Sequence, residues 1–180
     1  MRFGSITGDS LICAIADFGV KRVLEIGTLV GHSAITMAAN LPEDGIVHTI
    51  EINPESAELA MANIRLANLT RKVIVHVGDA LDVIPLLVGE FDLIYIDAEK
   101  SQYLKYIKSS ECHLKENGVV IADNVKRFAS EVKDYLEYMR SSGKYRSQYK
   151  DLGFDGMEIS VRRKSEQEFK PDPGLTGNFP

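Results

Sequence analysis

The chain is 180 residues long, 44% apolar and 26% charged, which suits one globular domain around a single core and excludes a disordered or fibrous chain. Its 21 Lys and Arg stand against 26 Asp and Glu, a net charge of −5, which excludes a global positive field drawing it to nucleic acid or anionic lipid. Cys13 and Cys112 form no Cys-x-x-Cys pair, Gly4, Gly8 and Asp9 interrupt any secretory segment, and no run approaches the roughly 20 apolar residues of a membrane span, so a soluble cytoplasmic protein is expected.

In chain order, an amphipathic stretch at 10–18 leads into a β-rich run at 22–26, and from there short apolar runs alternate with longer amphipathic ones. Helices are predicted over 33–40, 54–67, 80–87, 101–114 and 129–141, and strands over 46–51, 73–77, 91–96 and 119–122. Nearly every strand position is apolar, as in strands covered on both faces, and the alternation marks parallel strands joined by crossover helices. Pro54 suits a first helical turn, and Asn117-Gly118 the turn into the fifth strand. The last two runs, 144–150 and 157–163, have no helix between them and should pair as an antiparallel hairpin. Together these predict an α/β fold over residues 1–164, a single Rossmann-like, doubly wound, mostly parallel seven-stranded sheet with helices on both faces. Arg162, Arg163 and Lys164 are too few for a binding arm and read as a solvated strand end. From Ser165 the composition turns polar, with Pro171, Pro173, Gly174, Gly177 and Pro180, and predicts a flexible tail at 165–180.

The candidate chemistry gathers where strands end. The first strand runs through Glu25-Ile26-Gly27 and, by way of Thr28-Leu29-Val30-Gly31-His32-Ser33, into a helix, a loop whose bare backbone lets a ligand approach closely. Leu29 and His32 stand where a dinucleotide fingerprint needs glycine, which weakens a pyrophosphate reading and leaves E-x-G-x-x-x-G for a different cofactor. Glu51 ends the second strand, the place for a carboxylate that accepts both ribose hydroxyls. Asp79, in Gly78-Asp79-Ala80, either meets an adenine amino group or caps a helix. Asp97 at the end of the fourth strand, with Asp123 and Asn124 at the end of the fifth, supplies two carboxylates and an amide oxygen, a set that favours Mg²⁺, with Mn²⁺ or Ca²⁺ as alternatives. His48, His76 and His113 read as structural, and Tyr103, Tyr106 and Phe128 as core or pocket wall.

Four segments in this order carry a resemblance: Val23-Leu24-Glu25-Ile26-Gly27 through Ser33, Thr49-Ile50-Glu51-Ile52-Asn53-Pro54, Phe91 to Lys100 followed by Tyr103 and Tyr106, and Ala122-Asp123-Asn124-Val125. Over 1–164 the chain resembles the cation-dependent O-methyltransferase family, which includes catechol O-methyltransferase. The resemblance implies S-adenosylmethionine as cofactor, with Phe3, Glu25, Gly27, Gly31, Ser33, Glu51, Gly78, Asp79, Ala80 and Asp97 binding it. It also implies a metal on Asp97, Asp123 and Asn124 and Lys100 as general base. In such chemistry a hydroxyl attacks the sulfonium methyl in line, and the metal's charge both acidifies that hydroxyl and favours a free-amine lysine.

Two departures qualify the expected acceptor. Met1-Arg2-Phe3-Gly4 aligns well inside the family's sequence, so the helices that cover the active site would be absent and the pocket open, or covered by a partner subunit as in a homodimer. Tyr149 stands at the site of the acidic residue that contacts the second catechol hydroxyl; Ser147, Gln148 and Lys150 supply no carboxylate, and Asp151 lies two positions away. The expected partner is therefore a small vicinal-dihydroxy, catechol-like aromatic, with no membrane partner. A tRNA hydroxyuridine is the alternative within the same chemistry, and the acidic balance argues against it. An idle cofactor-binding module and a nicotinamide oxidoreductase are the readings from other classes.

Overall fold

The computed structural model describes residues 7–153 and 155–164; Phe3 and the tail expected at 165–180 lie outside them. The elements are α1 (Thr7–Phe18), β1 (Arg22–Ile26), α2 (His32–Asn40), β2 (Ile46–Glu51), α3 (Pro54–Leu66), β3 (Val73–Val77), α4 (Ala80–Val83), β4 (Phe91–Ile96), α5 (Tyr103–Ser110), β5 (Leu114–Ala122), α6 (Lys133–Ser141), β6 (Tyr145–Asp151) and β7 (Gly156–Arg162). They build a seven-stranded sheet in the order β3-β2-β1-β4-β5-β7-β6. Neighbours from β3 to β5 are parallel, and β7 runs antiparallel to both β5 and β6. The expected doubly wound sheet and terminal hairpin are both present.

Central strands are apolar on both sides because both sides are covered. On one face Val23, Val47, Leu93 and Val119 pack under α1, α2 and α3; on the other Leu24, Ile50, Ile94 and Val120 pack under α4, α5 and α6. The chain leaves β1 towards β2 on one side and returns to β4 on the other, so the crevice of such a sheet opens at the carboxyl ends of β1 and β4. At the reversed strand, Arg140 of α6 reaches β7, where its Nε and Nη2 donate to Glu158 Oε1 and Oε2 at 2.7 and 2.6 Å.

Four elements differ from the pattern in the sequence, among them the helix expected over 129–141, which runs only over Lys133–Ser141. The helix expected over 80–87 is α-helical only to Val83 and tightens to a 3₁₀ turn at Ile84–Leu86, because Pro85 has no N–H to donate and its ring crowds the preceding turn. The helix expected over 101–114 is likewise α-helical only at its centre, between 3₁₀ turns at Lys100–Gln102 and Glu111–His113. Asn117-Gly118 lies within β5 rather than before it. Leu114 already pairs with Phe91, the next pair is Val119 with Leu93, and the residues between bulge with Asn117 at φ +60°. Gly118 is required there, since a Cβ would sit 2.6 Å from the Leu114 side chain. Among the described residues no helix is long and apolar enough to cross a membrane.

Candidate active site

At the carboxyl edge of the sheet lies a cleft of about 770 Å³. Of the sequence-predicted residues, Gly27, Ser33, Glu51, Gly78, Asp79, Ala80, Asp97 and Asp123 line it, while Glu25, Gly31, Lys100 and Asn124 stand off its wall. Gly27 explains how the crevice closes at its base. Its φ is +99°, and a Cβ at that position would lie 2.1 Å from the Asp97 carbonyl oxygen, so any side chain would push β1 and β4 apart beneath the site.

The glycine loop is held from below by carboxylates. Glu51 Oε2 accepts the Leu29 N–H at 2.7 Å and Oε1 accepts the Asn53 N–H at 2.9 Å. That grip keeps Leu29 at φ +49°, a left-handed conformation that non-glycine residues adopt at a cost, with its side chain 66% exposed on the cleft rim. Glu25 is fully buried and accepts hydrogen bonds from Ser33 Oγ and, at 2.5 Å, from Thr49 Oγ1, which lies 2.5 Å from Thr28 Oγ1. Burial pushes the Glu25 carboxyl up to about 7, the Ser33 and Thr49 hydroxyls pull it down, and the charges of Asp97 and Glu51 push it up again. Thr28 and Thr49 were not singled out by sequence reasoning; a threonine among the inner positions of β2, two residues before Glu51, was the available signal. Asp79 caps α4 by accepting the Leu81 N–H at 2.8 Å while also facing the cleft, so the two readings of this residue are compatible.

Beside the glycine loop, Asp97 and Asp123 of the cleft lining belong to a polar cluster. Lys100 Nζ donates to Asp97 Oδ1 at 2.7 Å and to the Tyr103 hydroxyl at 2.8 Å, and the Tyr103 hydroxyl donates to the Asp123 backbone oxygen at 3.1 Å. Asp123 Oδ1 accepts the Asn124 N–H at 2.7 Å and Oδ2 the Tyr95 hydroxyl at 3.1 Å. Burial raises the Asp123 carboxyl, the Asn124 N–H opposes it, and the Asp97 charge raises it further. Asn124 sits at φ +59° with its Nδ2 donating to Asp155 Oδ2 at 3.1 Å. Asp155 was also missed. It is buried at the end of the β6–β7 connection, where Oδ1 accepts the N–H groups of Arg127 and Gly156 at 3.1 and 2.8 Å. Burial pushes the Asp155 carboxyl up, but these N–H donors and the Asn124 amide outweigh it and hold it below the usual carboxylate range. Among the described residues no group of three or more His, Cys, Asp and Glu side chains converges, so the candidate metal set is two carboxylates and an amide.

Other residues sort themselves by place. Tyr106 lines the cleft, Tyr103 is fully buried, and the Phe128 ring lies 5.6 Å from Lys100 Nζ. His48 Nδ1 and His76 Nε2 share a hydrogen bond at 3.1 Å between β2 and β3, and the His113 ring donates to the Gly89 carbonyl. Tyr149 lies against Gly156, and Asp151 is shared between the Tyr149 hydroxyl and Lys126, whose Nζ stands 3.3 Å away.

A doubly wound sheet with a reversed β7, and a cleft at its carboxyl edge lined by a glycine loop and strand-end carboxylates, define an α/β domain of the Rossmann-like class with a ligand cleft at its switch point. An O-methyltransferase family model matches residues 1–146, and the chain belongs to that family. It is 41% identical over 111 residues to a catechol O-methyltransferase of Niastella koreensis, covering 59% of this chain and 50% of the relative. It is 36% identical over 174 residues to catechol O-methyltransferase B of Danio rerio, covering 89% and 65%. The chain thus spans about half to two thirds of the length of these curated relatives. An O-methyltransferase from Bacillus cereus, solved in complex with S-adenosylhomocysteine, superposes with a TM-score of 0.82 at 27% identity, over 91% of this chain and 84% of that one.

Proposed function

We propose that this chain transfers the methyl group of S-adenosylmethionine to one hydroxyl of a small vicinal-dihydroxy aromatic, with a divalent cation on Asp97, Asp123 and Asn124. The observation that carries this reading is that Asp97, which bonds Lys100, and Asp123 line the same cleft as the glycine loop. The donor set fits a hard cation. The half-exposed Asp97 and the buried Asp123 repel one another, and Asp155 engages the Asn124 amide nitrogen, which leaves the amide oxygen for a ligand role. When bound, the cofactor supplies an electrophilic methyl on a sulfonium, and the cation supplies charge that acidifies a bound hydroxyl.

The chain's own residues then divide the work. Ser33 and the loop from Gly27 to Gly31 hold the methionine part, Glu51 takes the ribose hydroxyls, and Gly78 to Ala80 border the adenine. Lys100 takes the hydroxyl proton at Nζ. The N–H grip of Glu51 on Leu29 sets the loop before any ligand arrives, so less order is lost on binding.

Labelled S-adenosylmethionine offered with a panel of catechols, first with Mg²⁺ and then with excess chelator, tests the reading. Product that forms with Mg²⁺ and disappears with chelator is expected. Cofactor binding with no product from any vicinal diol would overturn the acceptor class, and no binding of cofactor would overturn the whole reading.

A further inference from the structure

We infer that Tyr103 is a positioning residue that aims Lys100 at the acceptor hydroxyl; this rests on the reading of Lys100 as the base. A phenol has one proton to give, and that of Tyr103 goes to the Asp123 backbone oxygen at 3.1 Å. Its oxygen therefore meets Lys100 Nζ, 2.8 Å away, as an acceptor. Asp97 Oδ1 is the second acceptor, at 2.7 Å. The stem, Tyr103 and Asp97 thus take three of the four tetrahedral directions at Nζ, and one is left to meet the acceptor hydroxyl.

Lysine is otherwise a poor choice for a directed base, because its four-carbon stem rotates freely. Here the Tyr103 and Phe128 rings stand 5.2 and 5.6 Å from Nζ and confine the head. Tyr103 is itself immobilised, fully buried with its ring edge-on to Tyr135 at 5.7 Å between centroids. Through its two hydrogen bonds it ties Lys100, in the turn that follows β4, to the residue after β5, so Lys100 and Asp123 hold one geometry rather than two independent ones.

Tyr103→Phe removes the hydroxyl and keeps the ring on Tyr135. With an acceptor from the catechol panel, kcat should fall about 10- to 100-fold, the cost of a misplaced catalytic group, while the acceptor KM and the Kd for S-adenosylmethionine change less than about twofold. In a Lys100→Ala background the same substitution should cost nothing further, because a residue that acts through Lys100 has nothing left to position. An equal loss of kcat in both backgrounds, or full kcat in the single variant, would overturn the inference. A Lys100→Ala enzyme with undiminished kcat would instead overturn the base reading beneath it. A crystal structure of Tyr103→Phe gives a readout free of turnover: Nζ should leave its present position, and an unmoved Nζ counts against the role.

Discussion

Replacing Glu25 with Gln should change how stability depends on pH, with a size set by burial. The carboxyl is fully buried and pushed from its ordinary 4.5 up to about 7, chiefly by desolvation. The folded state therefore binds this proton more tightly than the unfolded chain. The contribution is fully present below pH 4.5, and it is lost as pH rises through about 7. A gap of roughly 2.5 units at about 1.36 kcal/mol each gives about 3 kcal/mol across that window. Gln keeps the shape and cannot ionise, and the Ser33 and Thr49 hydroxyls can turn to accept from its amide. For a chain of this size each kcal/mol moves Tm by roughly 2–4 °C, so the variant's Tm relative to wild type should rise by roughly 6–12 °C between pH 5 and pH 8.5. His48 has the opposite sign: burial lowers it to about 4, so its contribution is present above 6.5 and fades as pH falls through 4. It is common to both proteins and drops out of their difference. The assay is thermal melting of the cofactor-free protein and variant at both pH values. A Tm difference that stays constant from pH 5 to 8.5 would refute the reasoning.

Gly27→Ala should destabilise by at least about 3 kcal/mol, read from the denaturant midpoint, because its Cβ has no space against the Asp97 carbonyl and the backbone there is left-handed. Asp155→Ala should weaken Mn²⁺ or Mg²⁺ binding about 10- to 100-fold by calorimetry, since a residue that orients a metal ligand is worth about that much. Arg140→Met should cost about 3–5 kcal/mol in urea unfolding by leaving Glu158 buried without its partner, and adding Glu158→Met should recover most of the loss.

The first four strands of the chain coincide with the runs at 22–26, 46–51, 73–77 and 91–96: β1, β2 and β4 are covered on both faces and mostly apolar, and β3, at the sheet edge, is nearly all β-branched. What escaped notice depends on partners far away in sequence. Leu114 looks like a helix end until Phe91 pairs with it, and Asn117-Gly118 looks like a turn until the strand is seen to continue on both sides of it. The helix expected from Ala129 begins at Lys133, because the preceding residues turn back on Phe128 and Asn124 through their backbone N–H groups. Within the site, the residues that face the cleft had recognisable spacing, whereas those that hold them in place did not. Thr28 and Thr49 meet across strands, Asp155 meets Asn124 across the sheet, and Tyr103 was legible as an aromatic of the core but not as a partner of Lys100.

The position of Asp155 also orders events during synthesis. Every residue of the cleft is made before the β6–β7 connection emerges, yet Asn124 keeps its orientation through Asp155, and β5 has an open edge until β7 arrives to pair with it. A ribosome-bound chain would thus carry the glycine loop beside an Asn124 that has yet to meet Asp155. Docking of the reversed strand would then do two things at once, closing an edge on which another nascent chain could add and fixing the Asn124 side chain.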